Sequence, residues 1–282
     1  MIFVTRFAPS PTGPLHLGHA FSALLAHDRA RSEGGQFLLR IEDIDTTRSR
    51  PEWEAQIYDD LHWLEIDWDA PPMRQSERVG AYEAALDRLW GAGLLYPCSC
   101  TRRDIAAATA APQEGDPPLI GPDGLVYPGT CRDKPRPPRR PGGEALRIDM
   151  RKALERIDPN IVFREETRPD PIHRAAQTMI EEVGDVVLSR RDFVGSYHLS
   201  VVLDDAAQGI THVIRGADLF DATPIHVMLQ RLLGLPTPVY HHHRLIRDET
   251  GRRLAKRDDA RAIATYRAEG RTPADIRAMV GL

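Results

Sequence analysis

Two histidines three residues apart, His16 and His19, stand where an apolar stretch breaks into a Pro/Gly turn and a helix begins. The run Arg6-Phe7-Ala8-Pro9-Ser10-Pro11-Thr12-Gly13-Pro14-Leu15-His16-Leu17-Gly18-His19 reads as strand (Ile2 to Ala8), turn and helix start. A strand, a tight turn and a helix N-terminus hold phosphate well, because free backbone N–H groups and the helix dipole point the same way. Each imidazole can donate to a phosphate oxygen whose charge grows during a reaction. Gly18, between them, leaves room for a flat ring to lie against the backbone. A solvated loop before an ordinary helix would show the same local pattern. A second group of interest is Glu42, at the end of another apolar stretch, together with Arg6. A guanidinium fork suits a carboxylate and a carboxylate suits an ammonium group, so the pair could hold an amino acid. A plain Arg–Glu surface pair is the simpler alternative.

The third group is Cys98, Cys100 and Cys131, the only cysteines in the chain. An odd, clustered set argues against a disulfide framework. Thiolates bind zinc, and a structural site wants four ligands in a tetrahedron. Three cysteines leave one position open, and no histidine lies between Cys100 and Cys131. Water, Asp104 or Asp123 could complete such a site, or the thiols could simply be reduced and inert.

The elements that must position these groups follow from periodicity. Ala20, Leu24 and Leu25 form an apolar face after the His16 to His19 turn, with Asp28, Arg29 and Arg31 opposite, which predicts a helix. Gln36 to Glu42 reads as a second buried strand, so strand–helix–strand spacing predicts a βαβ unit and a parallel sheet. Ser49 as cap and Pro51 at the first turn open a helix with Trp53, Ile57, Leu61 and Leu64 inward. Ser76 to Leu95 reads as another, with Val79, Tyr82, Leu86, Leu89 and Trp90 inward. Pro97 to Gly143 is rich in Pro, Gly and Arg and predicts an insertion with little regular structure. Within it, the basic run from Arg132 to Arg140 could touch an RNA backbone through Arg136, Arg139 and Arg140, or be a solvated loop. Strands are expected at Ala145 to Asp149, Asp185 to Ser189, Tyr197 to Asp204 and Ile210 to Arg215. A helix opens at Thr223 and Pro224 and ends near Gly234, a strand follows over Arg244 to Gly251, and one or two short helices fit between Arg261 and Leu282.

At 282 residues and 41% hydrophobic, the chain can bury a core in one large or two modest domains. No stretch of ~20 apolar residues suits a membrane span, and no secretory signal is visible, so a cytoplasmic protein is expected. The net charge of −4 does not announce nucleic-acid binding, which would need local basic patches.

The fourteen residues from Arg6 to His19 resemble the signature of class I glutamyl-tRNA synthetases, with His16 to His19 as the family's HIGH element. The resemblance extends through Tyr197 to Asp205 and Val213 to Leu219, and in part through Arg253 to Asp258. There Lys256 holds the place of the second lysine of the KMSKS loop, while Arg253, Ala255 and Arg257 depart from it. The arrangement Cys98-x-Cys100 with Tyr127-x-x-x-Cys131 resembles the truncated branch that glutamylates queuosine in tRNA(Asp). The sequence runs only to Leu282 after Lys256, so no anticodon-binding domain is expected.

The resemblance implies an α/β fold: a Rossmann-like, doubly wound parallel sheet with an inserted zinc-binding subdomain and a short helical tail. It divides the chain at 1–96 (first catalytic half), 97–190 (insertion), 191–243 (second half) and 244–282 (loop and tail). It implies an ATP-dependent ligase acting through glutamyl-adenylate, with L-glutamate, Mg–ATP and queuosine-bearing tRNA(Asp) as partners, and a monomer. His16, His19 and Lys256 would be catalytic, and His16, Gly18, His19 and Lys256 would bind ATP. Arg6, Phe7, Ala8, Pro9, Ser10, Glu42, Tyr197 and Arg215 would hold glutamate. Cys98, Cys100, Tyr127 and Cys131 would bind zinc. No role attaches to His198, where the family often has Asn.

Overall fold

The computed structural model describes residues 2–109, 119–247 and 261–282. Strand β1 (Val4–Phe7) is buried along its length and runs into the Pro/Gly turn and then α1 (Leu17–Ser32). β2 (Gln36–Ile41) returns parallel to β1, pairing Val4 with Gln36 and Phe7 with Leu39, as the βαβ spacing predicts. α2 (Pro51–Trp63) follows, then the short edge strand β3 (Met73–Arg74), parallel to β2. The cap of α2 is Arg50 rather than Ser49, and it makes no side-chain capping bond, so Pro51 and the acidic first turn carry the helix start. A 3₁₀ turn over Gln75–Arg78 precedes α3 (Val79–Gly91). Tyr82, Leu86, Leu89 and Trp90 point inward as expected, but Val79 lies at the helix start and is exposed.

The insertion has more order than its composition suggests. β4 (Leu95–Cys98), α4 (Arg102–Thr109), the small hairpin β5 (Ile120–Gly121) and β6 (Gly124–Leu125), and β7 (Ala145–Ile148) all fall in it or at its edges. β7 pairs antiparallel with β4 on one side and with β10 (Val187–Ser189) on the other. Between them lie α5 (Met150–Glu155), the hairpin β8 (Ile161–Phe163) and β9 (Ile172–Arg174), and α6 (Ala176–Thr178), which continues as a π-helical turn to Val183.

The stretch expected to be a strand at Tyr197 to Asp204 is instead helix α7 (Tyr197–Ala207), capped by the Ser196 hydroxyl. The run Leu-Ser-Val-Val-Leu looks extended because most of its faces are buried, so no polar stripe reveals the helical period. β11 (His212–Gly216), α8 (Thr223–Leu233) and β12 (Val239–His243) complete a second parallel unit. β12 ends at His243, before Arg244, where the sequence places the start of a strand, and residues 248–251 of that expected strand lie outside the described residues. β11 lies beside β1, joined by the Thr211 amide to the Val4 carbonyl and by the Val4 amide to Thr211 Oγ1. Crossovers thus leave β1 toward β2 on one side and β11 on the other, and ligands bind at such a switch point, beyond the strand C-termini.

Two tail helices, α9 (Ile263–Ala268) and α10 (Pro273–Val280), fill the space predicted for them. Ile263, Ile276 and Val280 are buried in the same apolar cluster as α1, β1 and β2. Arg277 holds Asp28 of α1 through two hydrogen bonds, and Ala262 forms an isolated bridge with His16.

One buried group in this cluster is costly. Asp60 of α2 is fully buried, and neither carboxylate oxygen finds a hydrogen-bond partner. Burial, reinforced by Asp59, pushes its pKa up to about 7 from 3.8. The folded state therefore keeps a proton that the unfolded chain gives up, so stability falls as pH rises from about 4 to about 7. At ~1.4 kcal/mol per pKa unit this amounts to roughly 4 kcal/mol above that window. The Asp60→Asn variant is expected to melt several degrees higher than the parent at pH 8, with the gap narrowing toward pH 4. A gap independent of pH in calorimetric scans would rule the ionisation out as its cause.

Candidate active site

The first turn of α1 sets both histidine tautomers. His16 is the N-cap residue, and its Nδ1 accepts the Gly18 amide at 3.1 Å. His19 sits three residues on, and its Nδ1 accepts the His16 amide at 3.2 Å. A neutral imidazole that accepts at Nδ1 carries its proton on Nε2, which puts the N–H of each ring at the far edge from the helix. The rings stack 3.8 Å apart, and both line a cavity of ≈ 340 Å³. The flat ring that Gly18 accommodates turns out to be that of His16. A Cβ at position 18 would come within 2.9 Å of His16 Cε1.

The cavity opens at the carboxyl ends of β1, β2, β11 and β12. Arg6, Phe7 and Ala8 reach it from β1, Glu42 from just past β2, Arg215 and Gly216 from β11, and His243 from β12. Gly18 and Tyr197 line it as well. Pro9 and Ser10 line an adjoining cavity of ≈ 410 Å³, which shares Phe7, Ala8, His19, Glu42 and Tyr197 with the first. Nine of the residues singled out for nucleotide or amino acid thus meet in one cavity, and the other two described ones meet next door. Lys256 lies outside the described residues.

Arg6 and Glu42 are not partners of each other. Arg6 donates Nε and Nη2 to the two oxygens of Asp205, at 2.9 and 3.4 Å. Glu42 instead receives Arg40 Nη2 at 3.1 Å, and Arg40 Nη1 reaches Asp205 at 2.6 Å. Two arginines and two carboxylates form one buried chain, Arg6–Asp205–Arg40–Glu42, with no net charge. Burial pushes the Asp205 carboxyl up, but the two guanidiniums outweigh it and hold it below the usual carboxylate range. Burial also pushes Glu42 up, against the pull of Arg40 and Arg6. Sequence reasoning missed Arg40 and Asp205. The signal was an arginine inside the apolar run Phe-Leu-Leu-Arg-Ile, which a buried strand carries only with an acidic partner.

Arg215 is buried and held by four acceptors. Nε donates to His242 Nε2 at 3.1 Å, Nη1 to His226 Nδ1 at 3.1 Å, and Nη2 to Thr223 Oγ1 and the Leu219 carbonyl. His242 in turn gives Nδ1–H to Glu165 at 2.5 Å. Burial pushes the Glu165 carboxyl up, but hydrogen bonds from His242 and Thr167 bring it down to about 2. Tyr197 stands beside this group with its phenol pushed up by burial, so it stays protonated as a donor.

The family model for the catalytic domain of class I tRNA synthetases (E and Q) matches residues 3–123 and 139–282. The chain belongs to the class I (E and Q) tRNA synthetases. A glutamyl-Q tRNA(Asp) synthetase from Rhodobacter capsulatus is 63% identical over 99% of this chain and 100% of its own. A protein of the same name from Nocardia farcinica is 44% identical over 98% of this chain and 82% of its own. Among solved structures, a glutamate-tRNA synthetase from Elizabethkingia anophelis superposes with a TM-score of 0.78 at 28% identity. It covers 99% of this synthetase, which spans 61% of that longer chain. A methionyl-tRNA synthetase from Mycobacterium tuberculosis shares the fold, with a TM-score of 0.61 at 13% identity.

The synthetase also brings its three cysteines together. Sγ atoms of Cys98, Cys100 and Cys131 lie within 4.8 Å of one another, a group that could hold a metal ion. Cys100 and Cys131 are 3.6 Å apart, and the Tyr127 hydroxyl is 3.4 Å from both Cys98 and Cys100. Metal–sulfur bonds of ~2.3 Å in a tetrahedron set sulfur–sulfur edges near ~3.8 Å, so this spacing fits one. Burial pushes the Cys131 thiol up, but hydrogen bonds from Tyr127 and the Ser99 backbone outweigh it and bring it to about 6. Arg147 adds positive charge, with Nε 3.4 Å from Cys98 Sγ and its guanidinium 3.9 Å above the Tyr127 ring. The carboxylates considered as fourth ligands face elsewhere. Asp104 caps Thr101, and Asp123 faces His198.

The basic run of the insertion is largely spent inside the synthetase. Arg132 pairs with Asp185 at 2.7 Å, Arg136 lies over the Trp90 ring and donates to its carbonyl, and Arg140 pairs with Asp87. Of the three arginines expected to face RNA, Arg136 and Arg140 therefore brace α3.

No helix among the described residues is long and apolar enough to cross a membrane.

Proposed function

We propose that the synthetase activates L-glutamate with Mg–ATP and transfers it to the queuosine base in the anticodon of tRNA(Asp). The observation that carries this reading is the single cavity with histidine donors on one wall and Glu42, Tyr197 and Arg215 on the other. The queuosine acceptor is supported by the Rhodobacter relative, whose alignment spans 99% of this chain and 100% of its own.

In the first step a carboxylate oxygen of glutamate attacks the α-phosphorus of ATP. The bond to the bridging oxygen breaks and pyrophosphate leaves. No side-chain nucleophile is needed, only positioning and stabilisation of charge. His16 and His19 offer Nε2–H to the phosphates, with Gly18 keeping the His16 ring in its cap. Lys256 adds a cation. Glu42 takes the ammonium group, Tyr197 and Arg215 take the side-chain carboxylate, and Arg6 to Ser10 shape the floor. In the second step a hydroxyl of the queuosine cyclopentenediol attacks the acyl carbon and AMP departs. Mg²⁺ accompanies ATP and neutralises its phosphates.

Zinc is the metal proposed for Cys98, Cys100, Cys131 and Tyr127. It would fix β4 to the loop carrying Cys131 and so brace the insertion. This is a structural role that does not enter the chemistry.

Glutamate-dependent pyrophosphate exchange without tRNA, followed by glutamate transfer to queuosine-containing and unmodified tRNA(Asp) and to tRNA(Glu), tests the proposal. Exchange without tRNA and transfer to the queuosine-containing RNA alone are expected. Charging of tRNA(Glu), or no exchange, would overturn it. The Gly18→Ala variant is expected to lower exchange roughly 10²-fold, the usual loss when one positioned charge-stabilising donor is displaced. Near-parental exchange in a folded Gly18→Ala protein would remove the cap from the mechanism.

A further inference from the structure

Arginine only donates hydrogen bonds, so an imidazole that touches it must accept there. Arg215 Nη1 meets His226 Nδ1, which leaves the His226 proton on Nε2. That Nε2 stands 3.1 Å from His198 Nδ1, which must accept in turn and so places the His198 proton on its own Nε2. His198 Nε2 then faces Asp123 Oδ1 at 3.6 Å, an electrostatic contact rather than a hydrogen bond. Both rings are buried, and the Tyr197 ring packs edge-on against each, 5.6 Å from His198 and 5.7 Å from His226. Asp123 belongs to the turn between β5 and β6, in the insertion.

We propose that His226, His198 and Asp123 form a positioning relay that holds the Arg215 guanidinium from the side of the insertion. The seating of hairpin β5–β6 is then felt in the amino-acid pocket. The relay rests on the reading that Arg215 meets the glutamate side-chain carboxylate.

Three features favour a relay over two core histidines packed for bulk. The tautomers are dictated in one direction along the whole chain, from a cation at one end to a carboxylate at the other. Among the described residues, His226 is the only acceptor of Nη1, whereas the other two guanidinium nitrogens are held by β12 and the start of α8. Burial and the neighbouring Arg215 charge also keep His226 neutral, since both pull its pKa well below the ordinary value. Asp123 responds in the opposite sense. Burial pushes its carboxyl up, and His198 outweighs this and lowers it.

The test compares His226→Leu with His226→Asn, whose amide oxygen can replace Nδ1, and adds Asp123→Ala on the exposed side of the hairpin. In pyrophosphate exchange, His226→Leu is expected to raise the glutamate KM roughly 10-fold while the ATP KM stays within about 2-fold, and His226→Asn is expected to recover most of the loss. Asp123→Ala is expected to raise the glutamate KM about 3-fold. An unchanged glutamate KM in His226→Leu, a parallel rise in the ATP KM, or an Asn variant no better than Leu would overturn the relay. Nitrogen-15 NMR of labelled histidines decides it independently of catalysis. The proton is expected on Nε2 of both His226 and His198, with the His198 signals shifting in Asp123→Ala, and a proton on Nδ1 of His226 would overturn the proposal. A parent enzyme without glutamate-dependent exchange would sink the glutamate reading alone, because the tautomers would still be measured.

Discussion

Replacing Arg40 by methionine is expected to cost roughly 3–5 kcal/mol of folding stability, the usual loss when one partner of a buried ion pair is removed. Arg40 is fully buried, between Asp205 at 2.6 Å and Glu42 at 3.1 Å. Methionine fills most of the space but leaves two carboxylates facing a single guanidinium, that of Arg6. One of them must then take up a proton. Glu42 is the candidate, since burial already holds its pKa up and Arg40 is the largest pull against that. The sign follows from linkage. A carboxyl whose folded pKa rises above its unfolded value loses stability as pH increases between the two. Urea titrations should therefore show a larger deficit at pH 8 than at pH 5, and Glu42→Gln added to Arg40→Met should restore part of it. A deficit under 1 kcal/mol, or one flat with pH, would mean that the chain of charges is not what stabilises this seam. Glutamate-dependent exchange should fall with stability in the single variant and stay low in the double one, because Glu42 is the proposed ammonium ligand.

The second large effect is expected for Arg215→Lys, which keeps the charge and loses the fork. Lysine cannot serve four acceptors spread over β12, α8 and the Leu219 carbonyl at once. His226 would be left with a buried acceptor unpaired, and a substrate carboxylate would meet a rotatable point charge instead of the one fixed N–H that Arg215 has left on Nη1. A loss of roughly 10²-fold or more in kcat/KM for glutamate is expected, carried mainly by KM, with the ATP KM little changed. Steady-state exchange kinetics check this, and Arg215→Ala with added guanidinium should regain part of the activity. Kinetics within about five-fold of the parent would move the carboxylate contact away from Arg215.

Of the elements that frame the cavity, β1, α1, β2, β11 and α8 were legible because each carries a plain signal, whereas β12 and α7 were not. β1, β2 and β11 are short, mostly apolar runs that break at Pro9, Glu42 and Gly216, and α8 opens on Thr-Pro and closes on Gly234 in the left-handed conformation. α7 was misread because the amphipathic signal fails when a helix is enclosed. Its acidic end, Asp204 and Asp205, looked like the polar end of a strand. In the fold Asp204 is fully buried, bonded to Gln75, Arg78 and Tyr82, and Asp205 joins the arginine chain. Partners 120 or more residues away along the chain leave no local trace. The histidines at the start of α1 show the reverse case. Their types and spacing were readable, but their tautomers, and the fact that Gly18 serves His16, depend on backbone geometry that spacing cannot reveal.

Ile263, Ile276 and Val280 share one apolar cluster with α1, Arg277 grips Asp28, and the chain at Ala262 bridges to His16. Elements that share a core tend to open together, as one cooperative unit. Amides of α10 and of the first turns of α1 should then exchange with solvent at a common opening free energy, distinct from that of the second cluster, which joins the insertion to α7 and α8. The histidine turn at the start of α1 would inherit its rigidity from the tail helices, so a fray at α10 would reach the two imidazoles without touching them.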